Sequence, residues 1–150
     1  MKILFVCTGN TCRSSMAEAI ARKVLEDRPE KNGNIEVSSA GVAAWPGDRA
    51  TREAVEALAE MGVDLGGHRA ARLTPEAARE ADLILTMTGE HRDYVVKLVP
   101  EASGKVFTLA EYAGSGGDVP DPFGQPLEAY RNCARVLESL IEKVLDKLGN

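Results

Sequence analysis

Ile3-Leu4-Phe5-Val6-Cys7-Thr8-Gly9-Asn10-Thr11-Cys12-Arg13-Ser14 is the stretch from which the rest of the chain can be read. Apolar residues run directly into a polar loop. Beyond it, apolar positions recur every fourth residue at Met16, Ile20 and Val24. The order is that of a buried strand, a tight turn and an amphipathic helix. A loop so placed presents backbone N–H groups at a helix N-terminus, where the dipole favours an anion. Gly9 is read as the residue that lets the loop turn, so that successive N–H groups form a phosphate-sized nest. Cys7 and Arg13 bracket five residues. Arg13 offers a planar fork for two phosphate oxygens. The combined field of helix and guanidinium favours the thiolate of Cys7, a nucleophile. Ser14 can donate a hydrogen bond to that sulfur, and Asn10, tolerant of unusual dihedrals, is expected to fix the loop.

Working outward, the alternation repeats. Strands are expected over 2–6, 35–38, 83–85 and 105–109. Helices are expected over 16–28, stopped by Pro29 and Gly33, over 51–61 with Val55, Leu58 and Ala59 inward, and over 90–99, closed by Pro100. Thr74-Pro75 reads as another helix start, and Ala40-Gly41 as a turn. The last helix covers 127–148, with Tyr130, Ala134, Leu137, Ile141, Val144 and Leu148 as its buried stripe and Cys133 packed beside it. Four strands alternating with helices predict an α/β fold. We expect a single-domain doubly wound four-stranded parallel sheet with helices on both faces, spanning residues 1–150. Sites in such sheets lie beyond the carboxyl ends of the strands. Cys7 and the Gly-, Pro- and Asp-rich loop over 111–124 can therefore share one edge.

Composition narrows the classes. A chain of 150 residues suits one compact domain. No apolar run is long enough to span a bilayer, and the N-terminus lacks a signal-peptide pattern. Three cysteines do not complete a disulfide framework, which fits a reducing compartment, the cytoplasm. A net charge of −5 without a basic block argues against nucleic-acid partners. A membrane partner is not expected either, and a monomer is favoured. Cys7, Cys12 and His68 could be read as metal ligands, but no second closely spaced pair follows. No metal or cofactor is expected.

Expelling a leaving group from phosphorus calls for a general acid. Asp121, stiffened by Pro122 and followed by a turn at Gly124, and its neighbour Asp118 are both candidates on sequence alone. After transfer of the phosphoryl group to Cys7, the same carboxylate would activate the water that releases it.

The loop from Cys7 to Ser14, with Met16-Ala17-Glu18 after it and Asp121-Pro122-Phe123-Gly124 near the other end, resembles the low-molecular-weight protein phosphatase family. Ser39-Ala40-Gly41 and His68 with Ala70 match further landmarks, so the resemblance spans essentially the whole chain. It implies a two-step cysteinyl-phosphate mechanism with Cys7 as nucleophile, Arg13 as phosphate binder and Asp121, rather than Asp118, as general acid. It also implies that Asn10, Ser14, Ser39 and His68 brace the loop. Ser15 departs from the proline usual in the family, at some cost in stiffness.

The pocket wall bears on the substrate. Relatives that act on phosphotyrosine usually carry a bulky aliphatic residue where this chain has Thr11, and two aromatics after the Asp-Pro pair, where it has Phe123-Gly124. A threonine hydroxyl can accept from a guanidinium, which only donates. Loss of one ring removes stacking surface worth roughly 1 kcal/mol to a phenol. The pattern looks like the protein arginine phosphatase branch, acting on phosphorylated proteins. A tyrosine phosphatase is the alternative; an arsenate reductase or a non-hydrolytic phosphocarrier fits less well. Substrate would contact Thr8, Gly9, Asn10, Thr11, Cys12, Ser14, Trp45 and Phe123. Trp45 suits either a phenol or, by cation–π contact, a guanidinium. Cys12 is expected to form a reversible disulfide with Cys7 under oxidation.

Overall fold

In the computed structural model, which describes residues 1–32 and 34–148, β1 (Lys2–Cys7) sits inside a four-stranded, all-parallel sheet. The strand order is β2–β1–β3–β4, with β2 at Glu36–Gly41, β3 at Leu83–Thr86 and β4 at Val106–Thr108. The helices are α1 (Arg13–Glu26), α2 (Pro29–Asn32), α3 (Arg52–Ala59), α4 (Pro75–Glu80), α5 (Gly89–Leu98), α6 (Leu109–Tyr112) and α7 (Leu127–Leu148). A 3-10 helix covers Pro100–Lys105.

The unbroken apolar run of β1 follows from burial on both faces. Ile3, Phe5 and Cys7 enter one core with Met16 and Ile20 of α1, Leu58 of α3, and Leu137 and Ile141 of α7. Leu4 and Val6 enter the other with Ala78 of α4 and Val95 of α5. Each such fully buried large side chain stabilises the fold by roughly 1.5–3 kcal/mol. The stripe expected on α7 is buried, with Leu148 only partly so, and Cys133 is buried beside it.

The registers Cys7↔Gly41, Val6↔Thr86 and Thr86↔Thr108 bring the carboxyl ends of all four strands to one edge. Ala40 and Gly41, expected as a turn, are instead the last residues of β2. The glycine serves close approach: a Cβ at Gly41 would lie 2.5 Å from the Thr8 carbonyl oxygen and 2.9 Å from the Asn10 nitrogen. No other residue lets the loop after β1 lie so tightly over β2.

Other boundaries also differ. Helix α1 begins at Arg13, three residues before the first apolar repeat, because the loop itself forms the helix entrance. Pro29 and Pro100 each open a short helix, in keeping with proline's tolerance at a first turn. Ala59 is exposed, while Ala54, Ala57 and Leu58 face inward and Val55 packs partly. The start of the expected acidic loop is helical, since Thr108 and Glu111 form a capping box. The stop assigned to Gly33 lies outside the described residues. Among the described residues no helix is long and apolar enough to cross a membrane.

Candidate active site

The loop after β1 is built around Asn10. It is the one non-glycine with positive φ, 57°, among the described residues. Gly9, expected to let the loop turn, has no positive φ; the left-handed position falls on Asn10, the residue expected to tolerate unusual dihedrals and fix the loop. Asn10 is fully buried and bonded at every polar atom. Its Oδ1 accepts from the Ala71 N–H at 2.9 Å. That identifies the amide nitrogen, which donates to Ser14 Oγ at 2.8 Å and to Ser39 Oγ at 2.9 Å. Its carbonyl lies 2.7 Å from His68 Nε2.

Proton directions then follow along the chain of contacts. Ser39 donates to the Glu18 carboxylate at 2.6 Å, which only accepts. Ser39 must therefore accept from Asn10. Ser14 likewise accepts from Asn10, so its own proton is free to go outward. The Cys7 sulfur lies 2.8 Å away and the Ala40 carbonyl 3.5 Å, so the sulfur is the nearer acceptor. The Asn10 backbone N–H, 3.3 Å from the same sulfur, adds a second donor. Two donors thus converge on the Cys7 sulfur at the entrance of α1.

Arg13 is 5% exposed, and its Nη1 donates to the Val119 carbonyl at 2.9 Å. Its Nη2 lies 3.6 Å from Asp121 Oδ2. The guanidinium thus spans the gap between the loop and the carboxylate. Asp121 Oδ1 accepts from the Phe123 N–H at 3.1 Å, which shapes the turn, and Gly124 completes it with φ 78°. Asp118 is drawn elsewhere: it accepts from the Gly89 N–H at 3.0 Å. A pocket of about 210 Å³ is lined by Cys7, Thr8, Gly9, Thr11, Cys12, Arg13, Asp121 and Phe123. Asn10 and Ser14, expected against substrate, are not in that lining; with Ser39 and His68 they form one hydrogen-bonded network. Trp45, expected against substrate, is 77% exposed and does not line the pocket.

A cysteine sulfur, an arginine fork and a carboxylate around one pocket can carry out in-line displacement at phosphorus. The family model for low-molecular-weight phosphotyrosine protein phosphatases matches residues 2–150. The chain belongs to that family. It is 44% identical over 149 residues to the protein-arginine-phosphatase of Bacillus subtilis (strain 168), covering 99% of this chain and 97% of that one. Among solved structures, a C7S mutant of the YwlE arginine phosphatase, with the substituted active-site serine phosphorylated, superposes with a TM-score of 0.91 at 43% identity, covering 100% and 97% of the two chains. A low-molecular-weight protein tyrosine phosphatase from T. tengcongensis superposes at 0.90 with 46% identity, covering 98% and 99%.

Two parts of this phosphatase escaped the sequence. Glu18 was visible only as part of a motif; its bond to Ser39 and its 2.6 Å ion pair with Arg22 anchor the far end of the network. His91 gave no local signal. It is 6% exposed, with Nε2 2.9 Å from Thr8 Oγ1 and Nδ1 3.0 Å from Thr88 Oγ1. Burial first, and then the Arg13 guanidinium, lower its pKa from 6.5 to about 4, against the opposing pull of Asp118 and Asp121.

The neutral ring has a consequence for stability. Below about pH 6.5 the unfolded chain takes up a proton on His91 that the folded chain refuses until about pH 4. The stability contributed above pH 6.5 is therefore lost as pH falls through that window. The His91-dependent loss between about pH 7 and about pH 5 is expected to be roughly 1.5–2 kcal/mol. Urea midpoints at those two values check it. His91→Gln should remove that part of the slope, and an unchanged slope would contradict it.

Proposed function

We propose that this phosphatase hydrolyses phosphoarginine in proteins through a phosphocysteine on Cys7. The observation that carries the substrate class is the pocket wall. It presents the hydroxyl-bearing residues Thr8 and Thr11 and a single aromatic ring, Phe123, 66% exposed. A guanidinium has N–H donors all round its edge and gains from acceptor oxygens. A phenol ring gains from apolar walls and stacking. The similarity to proteins named as arginine phosphatases supports the reading.

In the first step the Cys7 thiolate attacks phosphorus, the S–P bond forms and the P–N bond breaks. Asp121 gives its proton to the departing guanidine nitrogen. Arg13 and the loop N–H groups hold the equatorial oxygens, where charge accumulates. In the second step Asp121, now a carboxylate, takes a proton from water. The water oxygen bonds to phosphorus and the S–P bond breaks. Phosphate leaves, and the thiolate returns to the donors of Ser14 and Asn10. The scheme uses only groups of this chain and water. The substrates are phosphorylated proteins, and the enzyme acts as a monomer in the cytoplasm, a reducing compartment with which free Cys7, Cys12 and Cys133 thiols are consistent. Sedimentation at the mass of a dimer would contradict the monomer.

Thr11→Ile should lower kcat/KM for a phosphoarginine peptide by about 10-fold to 100-fold, the loss of one acceptor hydrogen bond to a charged group plus steric filling of the wall. It should raise relative activity on phosphotyrosine. Unchanged selectivity would remove Thr11 from the account. An arsenate reductase would need a relay from Cys7 to a downstream thiol. The only downstream cysteine, Cys133, is buried in α7, and burial pushes its thiol up to about 12.

Cys12 is buried, with Thr51 Oγ1 and Tyr130 Oη each 3.7 Å from its sulfur. Burial raises its pKa, with the Thr51, Tyr130 and Thr11 hydroxyls opposing. It is thus kept as a thiol until oxidation places a sulfenic acid on Cys7, which it then meets to form a disulfide with release of water. Cys12→Ser should turn peroxide inactivation that dithiothreitol reverses into inactivation that it does not. Full recovery in the variant would refute the protective disulfide.

A further inference from the structure

The turn between β3 and α5 takes no part in the acid–base chemistry, yet it touches both halves of the site. The Met87 carbonyl accepts from the Val119 N–H at 2.9 Å, and the Gly89 N–H donates to Asp118 at 3.0 Å, so the acidic loop is pinned to this turn. From the first turn of α5, which follows directly, His91 reaches the phosphate loop. The Thr88 hydroxyl oxygen accepts from the His91 backbone N–H at 3.2 Å and lies 3.0 Å from His91 Nδ1. The opposite ring nitrogen meets Thr8 Oγ1 at 2.9 Å. Both nitrogens are thus engaged, and the ring cannot turn without losing two hydrogen bonds.

What this arrangement holds is the hydroxyl and not the loop backbone. The Thr8 carbonyl already accepts from the Ala43 N–H at 2.9 Å, and Val42 donates to the Cys7 carbonyl at 2.9 Å. A buried imidazole is a costly filler where an apolar side chain would pack as well. Its specific product here is one fixed orientation of the Thr8 oxygen at the pocket wall. A threonine oxygen has one proton and two lone pairs. If Nε2 donates, one lone pair remains; if it accepts, two remain. In either tautomer the oxygen keeps an acceptor site.

We propose that His91 is a positioning residue for substrate selection, fixing the Thr8 hydroxyl as an acceptor for guanidinium N–H groups in addition to Thr11. The proposal rests on the reading of the enzyme as an arginine phosphatase. An aryl phosphate has no N–H in its leaving group and cannot use that oxygen. His91 therefore acts on the choice between substrates, and it acts through Thr8.

The test compares kcat/KM for a phosphoarginine peptide and for p-nitrophenyl phosphate, with melting temperatures, in wild type, His91→Leu, His91→Gln, Thr8→Val and the His91/Thr8 double variants. The ratio of the two kcat/KM values should fall about 10-fold to 100-fold in His91→Leu, the worth of one hydrogen bond to a charged group. Thr8→Val should lower it to a similar extent, and the double variant no further, because both changes remove one interaction. His91→Gln, whose amide reaches toward the Nε2 position, should restore most of the ratio. Equal losses on both substrates, or losses that multiply in the double variant, would overturn the proposal. If His91→Leu does not fold, His91→Gln, Thr8→Val and their combination carry the same comparison. A wild type that prefers phosphoarginine with a ratio indifferent to His91 sinks this inference alone. A wild type that prefers phosphotyrosine sinks the parent reading and this inference with it.

Discussion

Cys7→Ser is expected to abolish turnover of phosphoarginine peptide and aryl phosphate alike, by at least ~10⁴-fold, as loss of an activated nucleophile does. The donors on the sulfur, Ser14 at 2.8 Å and the Asn10 N–H at 3.3 Å, stabilise an anion that cysteine forms readily and serine does not. A serine hydroxyl would need a general base in the first step, and Asp121, the carboxylate that lines the pocket, is in the proposed mechanism the protonated donor to the leaving group at that step. The fold should survive, because the change is nearly isosteric and the Ser14 and Asn10 contacts can be made to oxygen. A melting temperature close to wild type with no measurable kcat is the expected pair of readings. Residual turnover of a few per cent would contradict a nucleophilic Cys7.

Asp121→Asn is expected to cost about 10²–10⁴-fold with phosphoarginine, the usual span for removal of a general acid. The loss should be smaller with p-nitrophenyl phosphate, whose leaving group departs readily without a proton. Asp121 is half-exposed and braced by the Phe123 N–H, so an amide fits its place without disturbing the core. The same variant should slow release of phosphate from the cysteine, because water activation uses the same side chain. A burst of leaving group followed by slow turnover, seen by rapid mixing, is the expected trace with the aryl substrate. Equal losses on both substrates would argue that Asp121 serves position and not proton transfer. Asp118→Asn makes the contrast. Asp118 caps the Gly89 N–H, an interaction that an amide oxygen can keep, so it should leave the leaving-group dependence as it is.

How much of this was legible depended on whether a contact is local. Cys7, Arg13 and Ser14 lie within one strand–loop–helix unit, and their spacing alone implies an anion site. Asp121 lies far along the chain, where sequence pattern does not separate it from Asp118. Only resemblance chose between them, and the structure then shows Asp118 held by Gly89 and Asp121 beside Arg13. Asn10 was legible as the residue that fixes the loop, but not the tertiary bonds with Ala71, Ser14, Ser39 and His68 that stabilise its left-handed position. Gly41 was misread. It looked like a turn because glycines often are, whereas its lack of a side chain is required by the packing of one strand against a neighbouring loop. His91 could not be found from sequence, since its partner Thr8 lies 83 residues away and its helix position resembles any polar turn. Trp45 drew attention as the sole tryptophan, yet it is not among the residues of the pocket wall.

The central claim is that the wall of this pocket selects a guanidinium over a phenol. The most direct measurement is competition between a phosphoarginine peptide and the matching phosphotyrosine peptide for the wild-type enzyme, read as phosphate released from each. The kcat/KM for phosphoarginine should be higher by at least about 10-fold, the worth of one hydrogen bond to a charged group. A preference for phosphotyrosine would contradict it.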